Sequence, residues 1–191
     1  TGQPGTVLTF FPWPKARRGR PGGGQVTAVA FAVPHNTLEH WVAQLRDEDI
    51  NIWGPDERFG AFTLGLEDPD GLHVELIEEP GLTTTTPWTG GNVPINRAAR
   101  GFHSITLTVE EYEPTANLLT EVLDYHYVNQ EGDRHRLTTP SDGPANIVDI
   151  RERPDEPHGR PGKGTVHHVA FRVRDAETQQ TIRSQLQSRG L

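Results

Sequence analysis

The hydrophobic pattern of the chain changes its period along residues 24–79. Residues 25–33 alternate with a period of two, which is typical of a half-buried strand. Pro34 ends this strand, and apolar residues then recur at helical spacing over residues 38–45. Three short strands are predicted next, at residues 50–53, 61–67 and 72–79, with a DPDG turn at 68–71 before the last of them. The pattern therefore predicts the element order β-α-β-β-β.

The same order returns after a Thr-, Gly- and Pro-rich stretch that has no period. A strand is also predicted before the first full module, at residues 5–11. After the second full module a further module begins, with a strand at 165–173 and a helix through Ile182 and Leu186. We therefore predict the last strand of a first module plus a linker (1–23), a second module (24–79), a linker (80–99), a third module (100–153), and a linker with the start of an incomplete fourth module (154–191).

Two stretches of the chain are near copies that lie 140 residues apart. RGRPGGGQVTAVAFAV occupies residues 18–33, and HGRPGKGTVHHVAFRV occupies residues 158–173. A strand follows each Gly/Pro loop directly, so the loops are interpreted as turn-rich connections rather than phosphate-binding loops. Duplicated loops and strands indicate a repeat architecture. We predict an α+β fold in which repeated βαβββ modules form curved mixed sheets with the helices outside.

Pairing of the modules follows from their amphipathic sheets. Each module alone would expose an apolar sheet face, so modules must pair. Residues 24–79 and 100–153 are expected to form one such pair. The remaining parts at the two ends are expected to belong to a second pair, so the chain is interpreted as an interior segment of a longer polypeptide.

Composition narrows the classes of function. A formal net charge of −8 argues against nucleic acid or an acidic membrane surface as a partner. The chain has no cysteine, so any metal site must use histidine and carboxylate ligands. No apolar run is long enough to span a membrane, so a soluble cytoplasmic protein is the expectation. The sequence leaves open whether the protein forms a homo-oligomer.

These features together resemble the vicinal-oxygen-chelate superfamily, which includes glyoxalases and extradiol dioxygenases. The resemblance rests on the repeated modules and on the strings HHVAFRV (167–173) and DPDGLHVELIE (68–78). The strings GTVLTFFPWP, PWTGGNVP and GFHSITLTV resemble more narrowly the four-module ring-cleaving dioxygenases of this superfamily, which open hydroquinones or related aromatic diols. The resemblance extends over essentially the whole chain.

The resemblance implies a metal-binding histidine on the first strand of a module, and His168 stands at that position. If residues 165–173 form a strand, His168 faces the concave side of the sheet, whereas His167 shares the opposite face with Phe171. A neutral imidazole suits Fe(II), with Mn(II), Zn(II) or Ni(II) as alternatives. The family's triad of two histidines and one carboxylate leaves open positions for the diol and O₂, and only His168 of that triad is visible in this chain.

The equivalent positions of the two full modules lack the metal-binding residue type. Ala28 and Ser104 stand where the fourth module has His168. His103 aligns with His167 instead, and is expected to face the helix layer in a structural role. Glu75 matches the family's carboxylate position, as do Asp149 and Thr9 in other modules. Without a histidine partner in its own module, Glu75 is interpreted as a solvated or hydrogen-bonded acid.

Three functions follow as hypotheses. The first is a ring-cleaving dioxygenase that opens a hydroquinone or related aromatic diol with O₂ at a non-haem Fe(II). The second is a glyoxalase-type, metal-dependent isomerase or lyase, and the third is a metal-free small-molecule-binding protein of the same fold. The four-module organisation favours the first. The sequence identifies no catalytic residue besides the metal ligand, and the 191-residue chain alone is expected to be inactive, because the other two ligands would lie outside it.

Overall fold

The computed structural model describes residues 7–80, 86–140 and 145–191. Within these ranges the first complete module contains β1 (Gln25–Pro34), α1 (Leu38–Asp47), β2 (Ile52–Arg58), β3 (Ala61–Glu67) and β4 (His73–Glu79). The second contains β5 (Gly101–Val109), α2 (Tyr112–Val122), β6 (His126–Glu131), β7 (Arg134–Thr138) and β8 (Ile147–Glu152). A third helix, α3 (Ala176–Ser188), follows.

The two modules join edge to edge into one eight-stranded sheet. Its strand order is β2-β3-β4-β1-β5-β8-β7-β6. Within each module the first strand is parallel to the last, β1 to β4 and β5 to β8, and the other pairings are antiparallel. Across the centre, β1 pairs with β5 in antiparallel fashion. The predicted α+β class is confirmed, and the expected pair of mixed sheets is one continuous sheet.

Alternation along the strands separates an apolar face from a polar one. Each module buries its own apolar cluster between its helix and the sheet. The buried members are Val33, Leu38, Leu64 and Leu76 in the first complete module, and Ala116, Leu119, Tyr125, Leu137, Val148 and Ile150 in the second complete module. The opposite, concave face of the sheet is therefore left to the polar positions of the strands.

A strand-end glutamate caps the helix of each module. The Glu78 carboxylate accepts hydrogen bonds from the backbone N–H groups of Thr37 and Leu38, at 2.7 and 3.0 Å. The Glu152 carboxylate accepts one from the N–H of Tyr112 at 2.8 Å. A carboxylate satisfies the unpaired N–H groups of a helix N-terminus and interacts favourably with its dipole. The last strand of each module therefore stabilises the start of that module's helix.

The duplicated Gly/Pro loops (residues 17–24 and 157–165) pair with each other. Arg20 and Arg160, which are equivalent residues of the repeat, exchange two backbone hydrogen bonds of 2.9 and 2.7 Å. The backbones approach so closely that a Cβ on Gly22 would lie 2.3 Å from the carbonyl oxygen of Pro157. A Cβ on Gly162 would lie 2.5 Å from that of Arg17. Glycine is needed at both positions because the facing loop leaves no space for a side chain.

The two edges of the sheet curl towards each other. The turn after β2 has Phe59 and Gly60 at φ 50° and 75°. Its Phe59 N–H donates to the Glu131 carboxylate at 2.7 Å, and the Arg136 guanidinium lies 4.0 Å from the centre of the Phe59 ring. These contacts connect the β2–β3 turn with the far edge strands β6 and β7, so the sheet encloses a cleft on its concave side.

Two of the predicted strands are not present. Residues 7–11 and 165–173 have no strand structure, and residues 5 and 6 of the first segment lie outside the described residues. Alternation alone does not form a strand, because the backbone groups of a strand need a hydrogen-bonded neighbour. Neither segment has such a neighbour among the described residues. The predicted helix through Ile182 and Leu186 is present as α3, and it buries no residue.

The helices of the described ranges are short or polar. None of them combines the length and the apolar character that a membrane span requires.

The contact between the two Gly/Pro loops can be tested by adding a single methyl group. We expect Gly22→Ala to lower the free energy of unfolding by about 1–3 kcal/mol, because its Cβ would overlap the Pro157 carbonyl. Gly23→Ala is the matched control, since the nearest atom to its Cβ is 3.2 Å away, and its loss should be clearly smaller. Urea unfolding measures both. Equal losses in the two variants would contradict the close contact.

Candidate functional site

The concave face of the sheet encloses a cleft of about 490 Å³. Both modules contribute to it, and the first Gly/Pro loop adds Pro21 and Gly22 to its lining. Its walls carry four threonine hydroxyls, an indole, an imidazole and several charged groups. The lining residues include Thr27, Trp53, Arg58, Thr63, His73, Glu75, Thr106, Thr108 and Arg134.

Two buried carboxylates at equivalent positions of the modules are held by arginines. Glu75 on β4 is 6% exposed, and its carboxylate accepts a 2.9 Å hydrogen bond from Arg58. Asp149 on β8 is 1% exposed, and Arg136 holds it in a bidentate pair at 2.8 and 2.9 Å. These are the carboxylate positions that the resemblance marks as ligand positions. Guanidinium groups neutralise both carboxylates.

Arg134 is the least compensated of the three arginines that contact Glu75 or Asp149 in the described structure. Its Nη1 donates to the Thr106 hydroxyl at 2.7 Å, while its nearest carboxylate oxygen, on Asp149, lies 3.4 Å away. Burial, together with the nearby charge of Arg58, lowers the pKa of Arg134 to about 10. The guanidinium stays charged at neutral pH, yet its environment disfavours that charge.

The cleft is not arranged as a metal centre. The positions where the resemblance requires histidine carry Ala28 and Ser104, both buried. Over the described ranges of the chain, no three His, Asp or Glu side chains are grouped so that they could hold a metal ion. His73 also lines the cleft, but its ring lies edge-on to Trp53, with the ring centres 5.2 Å apart.

His103 faces the concave side, and the prediction that it faces the helix layer is wrong. In the β1–β5 pairing, Ala30 is opposite Ser104 and Phe31 is opposite Phe102, so His103 is an extra residue in a β-bulge. A bulge redirects the side chain at the extra position. The His103 ring accordingly lies against Ser104 Oγ at 2.9 Å and the Glu79 carboxylate at 3.5 Å. Its role is structural, as an ion-pairing partner.

The bulge occurs twice, at equivalent positions. Along β1, Val26 is opposite Leu107 and Ala28 is opposite Thr106, which makes Thr27 the extra residue. Thr27 lines the cleft and its hydroxyl lies 2.7 Å from that of Thr108. The repeat aligns Thr27 and His103 with His167, so both complete modules turn the side chain at this position towards the concave face.

His167 and His168 lie together at the surface, next to two aromatic side chains. Their Nδ1 atoms are 2.8 Å apart, so the rings do not point to opposite faces as a regular strand would require. Trp13 lies edge-on to His167, with the ring centres 5.7 Å apart, and stacks on Phe11 at 5.6 Å. The Phe11 ring is 6.4 Å from His168. The segment before the first complete module thus meets the segment after the second.

This cluster does not form a metal site by itself. It offers two neighbouring imidazoles, and no carboxylate accompanies them in the part of the chain that the structure describes. Thr9, at the carboxylate position of this segment, is exposed. The assignment of His168 as a metal ligand stays a prediction, since the described residues do not bring a triad together around it.

Sequence reasoning missed Phe11, Trp13 and the arginine partners of the buried acids. The aromatic pair is visible in the string FFPWP, but its place beside the histidines depends on how the two ends of the chain meet. The arginines could be suspected from strand parity, since Arg134 and Arg136 share a face of β7. No pattern in the sequence marks the bulges that turn Thr27 and His103.

Comparisons with known proteins agree with this architecture. MhqO of Bacillus subtilis, named as a candidate ring-cleaving dioxygenase, is 39% identical over 93% of this chain and 56% of its own length. The chlorohydroquinone/hydroquinone 1,2-dioxygenase of Sphingobium indicum is 33% identical over 99% of this chain and 60% of its own length. The chain therefore spans rather more than half of these relatives. No protein-family model matches it.

Solved structures show the same relationship. The crystal structure of a candidate dioxygenase from Bacillus subtilis matches 98% of this chain and 59% of its own length, with a TM-score of 0.88 and 36% identity. Glyoxalase I from Zea mays matches 80% of this chain and 50% of its own, with a TM-score of 0.52 and 15% identity, which shows a shared fold alone. The chain belongs to the vicinal-oxygen-chelate superfamily. Within it, the chain is similar to the ring-cleaving dioxygenases of the hydroquinone type.

The buried carboxylate of Asp149, in the second complete module, should be critical for stability. Asp149→Asn removes the only carboxylate in contact with Arg134 and Arg136 in the described structure, and we expect a loss of about 3–5 kcal/mol in the free energy of unfolding. Asp133→Asn is the control, because Asp133 also contacts two arginines, Arg151 and Arg153, but is about one third exposed. Its loss should be about 1 kcal/mol or less. Urea unfolding separates the two cases, and similar losses would contradict the assignment.

The ion pair between His103 and Glu79 predicts an acid-dependent contribution to stability. The hydrogen bond from His103 holds the pKa of Glu79 below the 4.5 usual for glutamate. A lowered folded-state pKa stabilises the fold above the unfolded value and loses that effect as the pH falls through the folded one. Glu79→Gln should therefore cost at most about 1 kcal/mol near pH 6 and less at pH 3, measured by urea unfolding at both pH values. A pH-independent difference would contradict this.

Proposed function

We propose that this chain is part of a dioxygenase that opens the ring of a hydroquinone or a related aromatic diol with O₂. The observation that carries the proposal is the 33% identity to the Sphingobium hydroquinone dioxygenase over 99% of this chain. The identity of 39% to a second protein named for ring cleavage supports it. The backbone also matches that of the candidate dioxygenase from Bacillus subtilis, with a TM-score of 0.88 and 36% identity, which supports the proposal further.

We assign His168 as one ligand of a non-haem metal ion, with Fe(II) favoured over Mn(II), Zn(II) or Ni(II). Its position on the first segment of a module and the second imidazole beside it support this assignment. Because the described residues supply no carboxylate at this place, we infer that the other ligands come from parts of a longer polypeptide. The divisions at residues 1–23 and 154–191 are then the two portions of a second module pair.

The surroundings of His168 suit an aromatic substrate. Phe11 and Trp13 stack on each other and remain half exposed beside the two imidazoles. Exposed aromatic rings next to a polar group favour a planar ligand, because ring faces and edges interact specifically at short range. The residues of this chain would thus hold and orient the ring of the substrate. The glyoxalase-type alternative rests on a shared fold at 15% identity and gains no functional support.

The chain alone should not turn over hydroquinone. One or two imidazoles bind Fe(II) weakly, because water fills the remaining positions of the ion. An anaerobic Fe(II) titration followed by oxygen uptake with hydroquinone tests this, with the Sphingobium relative as the positive control. Oxygen consumption by the 191-residue chain comparable to that of the control would overturn our placement of the metal centre and redirect attention to His73 and Glu75.

In the longer protein, His168→Ala should abolish binding of Fe(II) and turnover, since it removes one of three ligands. His103→Ala is the control, because His103 occupies an ion-pairing role in the other module pair. It should lower the free energy of unfolding and leave the metal content intact. Iron analysis of the two purified variants provides the measurement, and a full iron content in His168→Ala would contradict the assignment.

A further inference from the structure

The cleft between the two complete modules has no role in the proposed reaction, yet its floor is not balanced in charge. Three guanidinium groups, of Arg58, Arg134 and Arg136, share the two buried carboxylates of Glu75 and Asp149 in the described structure, and of the three arginines Arg134 is the one that is buried. The carboxylates of Glu75 and Asp149 are already paired with Arg58 and Arg136. Buried charges are normally compensated, because removing a charge from water without a counter-charge is costly. Arg134 is therefore the least compensated of the three arginines.

The other acidic groups nearby do not compensate Arg134: Glu79 interacts with Arg136 and is engaged by His103. Asp133 is engaged by Arg151 and Arg153, and Glu131 accepts from the Phe59 N–H. Asp56 and Glu156 line the opening and are exposed to solvent, where water and salt screen their charges. The rim is thus acidic and screened, whereas the floor of the concave face has three guanidinium groups against two carboxylates.

A threonine hydroxyl in the cleft is a second group that a ligand could satisfy. The Thr63 hydroxyl lines the cleft, is 3% exposed as a residue, and has no hydrogen-bond partner among the residues that the structure describes. On β3, Thr63 shares the concave face with Gly65, and the Trp53 indole lies directly over Gly65, where a Cβ would come within 2.1 Å of the ring. Because Gly65 has no side chain, the Trp53 indole can lie against the sheet and form one side of the cleft. A buried donor without a partner costs free energy unless a ligand satisfies it.

From this arrangement we propose that the cleft is a metal-independent binding site for a small aromatic carboxylate. The carboxylate compensates Arg134 and accepts a hydrogen bond from Thr63. The ring of the ligand packs against Trp53, whose ring already meets that of His73 edge-on. A cleft of about 490 Å³ holds a ligand of one ring. The site is separate from the His167–His168 cluster and does not depend on the proposed oxygenase activity.

Isothermal titration calorimetry with benzoate on the 191-residue chain tests the proposal. Benzoate should bind in a saturable, one-to-one manner that weakens with added salt, because a charge pair contributes. Benzyl alcohol and benzylammonium have the same ring without the negative charge, and both should bind more weakly. Tighter binding of benzylammonium would overturn the proposal, since it would show that the acidic rim and not the arginines of the floor selects the ligand.

Two variants locate the site. Thr63→Val removes the hydroxyl while keeping the shape, so it should leave the urea midpoint unchanged or raised and weaken benzoate about threefold to tenfold. Arg134→Gln should weaken benzoate at least about tenfold, because it removes a charged hydrogen bond. His168→Ala should leave the affinity for benzoate unchanged. No saturable binding to the parent chain, or equal affinity in the parent and both cleft variants, would overturn the proposal.

Discussion

The antiparallel pairing of β1 with β5 is the contact on which the rest of the structure depends. Each module alone has its first strand at an edge, with unpaired backbone groups and half of a concave face. Their pairing satisfies the backbone groups of both edges and joins the two halves into one sheet. The helices then cover one face, and the cleft forms on the other because the two outer edges curl towards each other through Phe59, Glu131 and Arg136.

The central pairing also determines the chemistry of the cleft. Its two bulges, at Thr27 and His103, are equivalent in the repeat and turn one extra side chain of each module to the concave face. With Ala28 and Ser104 beside these positions, no imidazole stands where the superfamily resemblance requires a ligand. Arginines hold Glu75 and Asp149 instead. Such pairs are stable only as complete sets, since a buried charge without its partner is costly.

The repeated Gly/Pro loops connect this module pair with the segments before and after it. Arg20 and Arg160 bond to each other through their backbones, and glycines at positions 22 and 162 permit the approach. The same approach brings the Phe11–Trp13 segment to His167 and His168. The two copies of the loop that the sequence repeats therefore contact each other in the folded protein.

The sequence by itself determined the βαβββ order, the two amphipathic helices, and the lack of a metal-binding histidine at Ala28 and Ser104. These follow from local periodicity and from the alignment of one copy with the other, which need no knowledge of distant contacts. The direction of His103, the partners of Glu75 and Asp149, and the absence of strands at 7–11 and 165–173 were decided by the tertiary structure. A bulge depends on the register between two strands, an ion pair on which side chains cross the sheet, and a strand on a neighbour that supplies hydrogen bonds. None of these is a property of a short stretch of sequence.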